Sequence, residues 1–177
     1  MNNSEFMLDI EKIRQNAKRK IEDGPVTQGY NIDTDSVISM LNDALATEII
    51  CTLRYRQHHA MCEGQNTQHI ADEFLEHAEQ EQQHADQITE RITQLGGEPD
   101  MDPANISKRA HSDYKPAGSI EQMIKENLFA ERVAIDSYKA MIQYLGDNDP
   151  TTRRMLEEIL AVEEEHADDL AGLLHKH

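Results

Sequence analysis

A chain of 177 residues with 34 acidic and 17 basic side chains, a net charge of −17, has material for one domain with a respectable core. That charge works against a general nucleic-acid binder, which needs a basic face for phosphate; it is compatible with attracting metal cations, or simply with a solvated surface. Eight Gly and five Pro among abundant Glu, Gln, Ala, Leu and Ile favour helix, and no strand pattern competes.

The opening stretch, MNNSEFMLDIEKIRQ, lacks the apolar run of a signal peptide. No run elsewhere approaches membrane-spanning length on this reading. Residues 1–34 form a lead segment, weakly amphipathic from Ser4 to Glu22, with one basic cluster at Lys18-Arg19-Lys20. We expect a short docking helix or an arm there; an arm that touches DNA is the minority reading. Residues 35–177 read as one bundle.

The first long helical pattern runs from Asp35 to Glu63, with a seam at Ile38, Leu41, Leu45, Glu48, Thr52, Tyr55, His59 and Cys62. The second runs from Gln68 to Leu95 and stops at Gly96-Gly97, with Pro99 beyond. Its seam is Ile70, Phe74, His77, Glu81, His84, Ile88 and Leu95. Residues 97–118, rich in Pro, Asp and Ser, are long for a link and suit a crossover along the bundle, with a short helix near Ala104 to Ala110. The third helix opens on the capping box Ser119-x-x-Gln122 and ends at Leu145, before Gly146. Its seam is Ile124, Leu128, Glu131, Ile135, Tyr138, Ile142 and Leu145. The fourth follows Asp149-Pro150 and continues to Leu174 through Leu156, Ile159, Glu163, His166, Leu170 and Leu173. The links EGQNT and GDND are short, which makes each pair antiparallel. Cys51 and Cys62 lie on one helix, about 16 Å apart along its axis, too far to bond to each other. Two free thiols suit a reducing compartment, so the expected location is the cytoplasm.

Every long helix thus carries one carboxylate inside its apolar stripe: Glu48, Glu81, Glu131 and Glu163. Two add a His at i+3 on the same face, in EQQHAD (81–86) and EEEHAD (163–168). All four Glu lie near mid-helix, so the antiparallel hairpins bring them to one level. Either the helices are rotated and these Glu meet water, or cations neutralise them, because each buried unpaired ion costs several kcal/mol. Four Glu and two His in register favour the second. Two divalent ions balance four carboxylates with both His neutral, and oxygen-plus-imidazole ligands suit Fe or Mn. Tyr55 follows Glu48 by seven residues and Tyr138 follows Glu131 by seven, so 35–95 and 119–174 look like two copies of one hairpin.

This constellation resembles that of the ferritin-like di-iron proteins over about residues 35 to 175, an all-α four-helix bundle with a long crossover between helices two and three. Within them it looks closest to bacterioferritin and to Dps-like proteins with a bacterioferritin-type ferroxidase site. The resemblance implies that Glu48 and His84 hold one iron, that Glu131 and His166 hold the other, and that Glu81 and Glu163 bridge. Tyr55, in ALATEIICTLRYRQHH, matches a site-adjacent tyrosine, a support or electron donor rather than only a packing residue. His58 matches a nearby histidine there, although His58, His59 and His77 read first as packed or surface groups. Bacterioferritin places its haem methionine directly after the second-helix bridging Glu; here that residue is Gln82, so no haem is expected. The expected absence of a fifth helix, the crossover SKRAHSDY and the N-terminal arm lean toward a Dps-like shell of twelve subunits, with twenty-four as the other possibility. Standard Dps proteins build the site between subunits, whereas here one subunit carries it whole. The implied activity is oxidation of Fe(II) by O2 or H2O2 and storage of ferric mineral, with no membrane as partner and DNA disfavoured as one. The alternatives are a non-storage di-metal redox enzyme, such as a peroxidase or manganese catalase, and a DNA-compacting protein acting through Lys18, Arg19 and Lys20.

Overall fold

A computed structural model describes residues 7–62 and 67–176. The EGQNT link, except Thr67, and the first six residues of the lead segment lie outside the described residues. Among the described residues the chain is helical, with no strand. The helices are α1 (Ile10–Ala17), α2 (Thr34–Met61), α3 (Gln68–Gln94), α4 (Pro103–Arg109), α5 (Ile120–Leu145) and α6 (Pro150–Lys176), with a 3-10 turn at Ile21–Asp23. α2 pairs with α3 and α5 with α6, and the two hairpins meet through α2 against α5 and α3 against α6.

The punctuation in the sequence acts as its chemistry requires. At the end of α3, Gly96 takes φ +83°, and the Gly97 N–H reaches back to the Ile92 carbonyl at 2.9 Å, closing the helix with a left-handed residue. A Cβ on Gly97 would stand 2.7 Å from the Ile38 side chain, so this turn presses on the start of α2. Both halves of the capping box form at α5: Ser119 N–H donates to Gln122 Oε1 at 2.9 Å, and Gln122 N–H donates to Ser119 Oγ at 3.3 Å. At α6, Asp149 accepts the Thr152 N–H at 3.0 Å and binds the Thr152 hydroxyl. The same buried carboxylate takes the Arg91 guanidinium at 3.0 Å, and Arg91 also donates to Tyr30 Oη at 2.7 Å. This knot fastens the lead segment, α3 and α6 together.

The crossover runs along α2 on a ladder of polar contacts. Asn42 holds the Glu98 carbonyl and the Asp100 N–H. Arg109 pairs with Asp43 at 2.9 Å, the His111 N–H donates to Thr47 Oγ1, and the Ala117 N–H donates to Gln57 Oε1. The short helix expected near residues 104–110 is α4.

Two apolar clusters fill the bundle. One holds Leu41, Leu45, Ile88, Ile92, Leu145, Leu156 and Ile159 among others; the second holds Ile70, Phe74, Met123, Ile124, Leu170 and Leu173. The sequence seams fall inside, with shifts at their edges. Val37 is wholly buried where Ile38 was expected, and His59, Cys62, Leu128, Ile135 and Ile142 are only half-buried. α1 buries no residue, and the basic cluster follows it in a turn rather than on a helix, with Lys20 at φ +50°. α2 has 28 residues and a window of mean hydropathy 1.3, so by length and composition it could cross a membrane. Its inward face, including Glu48, is packed inside the bundle.

Candidate metal centre

Between the two apolar clusters lies a polar layer. Glu48 on α2, Glu81 and His84 on α3, Glu131 on α5, and Glu163 and His166 on α6 are all at most 5% exposed. In each Glu-x-x-His the i+3 spacing stacks carboxylate and imidazole on one helical turn. Central placement on antiparallel helices then brings all six to one level.

The ligand-type atoms form two groups, each lying within 4.8 Å of one another: Glu48, Glu81, His84 and Glu163, and then Glu81, Glu131, Glu163 and His166. Glu81 and Glu163 belong to both. Glu163 Oε1 is 2.9 Å from His84 Nδ1, and its Oε2 is 3.8 Å from His166 Nδ1. Glu81 Oε2 is 4.0 Å from His84 Nδ1, and its Oε1 is 3.4 Å from His166 Nδ1. Each of the two therefore divides its oxygens between the two imidazoles. Glu48 Oε2 faces His84 at 3.3 Å and Glu131 Oε2 faces His166 at 3.9 Å.

The hydrogen bonding is cross-symmetric. The Tyr55 hydroxyl of the first hairpin donates to Glu131 Oε1 of the second, and the Tyr138 hydroxyl of the second donates to Glu48 Oε1 of the first. Burial and the neighbouring glutamates push both phenols well above their usual range, so both remain donors. The His166 Nε2–H donates to Gln80 Oε1 at 2.7 Å, which fixes the ring with the Nδ1 lone pair facing inward. Burial lowers the His166 pKa despite Glu131, so the imidazole is neutral at neutral pH.

Eight buried atoms of these six residues have no hydrogen-bond partner: Glu48 Oε2, both oxygens of Glu81, His84 Nδ1, Glu131 Oε2, both oxygens of Glu163 and His166 Nδ1. The short His–Glu approaches lack the alignment of hydrogen bonds. Burial and the other carboxylates push Glu81 and Glu163 well above the usual carboxylate range. Burial works upward on Glu48 as well, but the close approach of Glu81 and His84 and the hydrogen bond from Tyr138 leave it below its usual value. Eight unsatisfied ligand atoms converging on two points fit a pair of divalent cations, which would neutralise the charge and satisfy the lone pairs. A cavity of about 200 Å³ lined by Gln80, Gln83, His84, Gln87, Glu158, Ile159 and Val162 reaches His84 from between α3 and α6.

The structure brings together all seven residues singled out in the sequence: the six ligand candidates and Tyr55. Tyr138, Gln80 and His77 also touch the layer and had no assigned role. Tyr138 was signalled by the hairpin repeat. The His77 ring is buried and stacks on His166 with centroids 3.9 Å apart, so it is a packed group beside the layer rather than a surface one. His58 is buried beside Asn127, 3.0 Å from Nδ1, outside the layer. Cys51 is a free thiol 3.3 Å from Arg54, and burial pushes it up to about 12, so it stays protonated.

A four-helix bundle with two Glu-x-x-His turns and two further Glu defines a class of proteins built around a carboxylate–histidine centre. The ferritin-like domain matches residues 38–177, and the chain belongs to this ferritin-like iron-storage family. The chain is 30% identical over 175 residues to the nutrient stress-induced DNA-binding protein of Nostoc sp., covering 96% of this chain and 93% of that one. It is 28% identical to the bacterioferritin of Mycobacterium avium over 135 residues, covering 76% and 80%. Among solved structures it is similar to a dodecameric thioferritin, a bacterioferritin-related protein from Bacteroides fragilis, with a TM-score of 0.80, 34% identity, and 84% and 89% of the two chains covered. Dps from Thermosynechococcus elongatus shares the fold at a TM-score of 0.76 and 21% identity, covering 79% and 90%.

Proposed function

We propose that this protein is a ferroxidase that takes up Fe(II), oxidises it with O2 or H2O2 and retains the product as ferric mineral inside a shell of its own copies. The observation that carries the reading is the set of eight unsatisfied ligand atoms in one buried layer. In this reading His84 and Glu48 take one Fe(II), His166 and Glu131 take the other, and Glu81 and Glu163 bridge. Manganese fits the same donors. Two Fe(II) supply the two electrons that, with two protons, reduce one H2O2 to two waters. The protein's part is positional. The Tyr138 and Tyr55 hydroxyls each hold one oxygen of Glu48 and Glu131, leaving the other oxygen facing inward, and Gln80 keeps His166 in its ligating tautomer. Hard carboxylate oxygens favour the ferric product, and the cavity at His84 admits a small oxidant.

The thioferritin is dodecameric, and this chain exposes Leu53, Phe129 and Tyr144 on its long helices, surfaces that self-association would cover. We therefore favour a dodecamer over a 24-mer, with residues 35–177 as the bundle, 1–34 as an arm, the cytoplasm as location and no haem at Gln82. The test is Fe(II)-dependent consumption of oxidant: Glu81→Ala should abolish it, and uptake unchanged by that substitution would count against the assignment. A hollow particle that gains a ferric core on iron loading separates storage from a di-metal peroxidase or catalase, which would turn over peroxide without a core.

A further inference from the structure

α3 continues its inward face toward its N-terminus with His77, one turn before Glu81, and Glu73, one turn before that. Across from them α6 supplies Asp169, three residues after His166. We propose that Glu73, His77 and Asp169 form a third divalent-cation site, flanking the central pair and open to solvent. Its role as a staging point for the central pair rests on the ferroxidase reading; its capacity to bind a cation does not.

The three side chains present ligand atoms within 4.8 Å of one another. His77 Nε2 lies 3.4 Å from Glu73 Oε1 and 3.9 Å from Asp169 Oδ2. The imidazole is 2% exposed, while the two carboxylates keep 31% and 45% of their side-chain surface. The ring is not free to turn. His166 stacks on it at 3.9 Å and 21°, and Tyr55 meets it edge-on at 5.3 Å and 89°. Nδ1 is taken up by the Tyr55 hydroxyl at 3.3 Å, so Nε2 is the nitrogen aimed at the two carboxylates. One nitrogen and two carboxylates, with the remaining positions open to water, suit a first-row divalent ion held weakly enough to move on. The position is specific as well. His77 packs against one central imidazole, and Tyr55 hydrogen-bonds to both His77 and Glu131, so a cation held here stands between solvent and the buried layer.

Cobalt(II) chloride alone is the probe, bound at saturation by the full-length protein. The expected count is three ions per subunit for wild type, two for Glu73→Gln with Asp169→Asn, and one for Glu81→Gln with Glu163→Gln. Loss of one ion in the first variant supports the site even if the central count is wrong, because only the second variant reports on the centre. The same count in wild type and Glu73→Gln/Asp169→Asn overturns the proposal. Should that variant not fold, wild-type crystals soaked in cobalt decide: an anomalous peak beside His77 Nε2 is expected, and no peak there overturns the proposal.

Discussion

Converting both shared carboxylates to amides, Glu81→Gln with Glu163→Gln, should stabilise the metal-free protein and remove most of its response to metal. Both side chains are 1% exposed, with pKa values held well above normal by burial and by the neighbouring carboxylates. A carboxyl whose folded pKa lies above its unfolded value contributes stability that is complete below the unfolded value and lost as pH rises through the folded one. Wild type and variant should therefore melt close together near pH 4.5 and diverge toward pH 8. Replacing buried charges with neutral groups of similar shape yields about 1–4 kcal/mol, and for a chain of this size each kcal/mol moves Tm by about 2–4 °C. A gain of roughly 5 °C for the metal-free variant at pH 7.5 is the expected result. Cobalt(II) at a thousandfold excess over its Kd should stabilise wild type by about 4 kcal/mol through mass action. Scanning calorimetry with and without cobalt(II) across this pH range reads all of these effects. A metal-free variant that melts below wild type at pH 7.5, or one that responds to cobalt(II) as strongly as wild type, would refute the reasoning.

Tyr55→Phe and Tyr138→Phe should behave as a matched pair, each depriving one outer glutamate of a charge-assisted hydrogen bond worth about 1.5–3 kcal/mol and each slowing Fe(II) oxidation; stopped-flow rates for the two variants that both equal wild type would show that these phenols play no part. Asp149→Ala should cost about 3–5 kcal/mol in urea unfolding, because it strands the buried Arg91 guanidinium and removes the Thr152 cap together; a loss below 1 kcal/mol would mean that the knot does not hold the helix ends. The lead segment should not retard duplex DNA in a gel at low salt, given the net charge of −17; retardation by wild type that disappears when residues 1–30 are deleted would assign Lys18, Arg19 and Lys20 the role implied by the name of the Nostoc relative.

The sequence made the centre legible because helical periodicity reports which side chains face inward, and a glutamate inside an apolar stripe is conspicuous. Glu48, Glu81, Glu131 and Glu163 stood out for that reason, and Glu-x-x-His singled out His84 and His166. Periodicity does not report how one helix is turned against another. The crossed pairing of Tyr55 with Glu131 and Tyr138 with Glu48 joins different hairpins, so only the assembled bundle shows it. Which neighbour packs on His77 is hidden for a related reason: its contact is a ring stack onto α6, which its own helix does not encode. The edges of the seams moved as well: Val37 is sealed inside, while Ile38, which the Gly97 turn presses on, stays half-buried.

The most direct test of a carboxylate-bound metal pair is anomalous diffraction at the iron edge from crystals loaded anaerobically with Fe(II). Two peaks about 3.5–4 Å apart, both within ligand distance of Glu81 and Glu163, one near His84 Nδ1 and the other near His166 Nδ1, are expected. Loaded crystals with no iron in this layer, and all four glutamates still buried without a cation, would contradict the account.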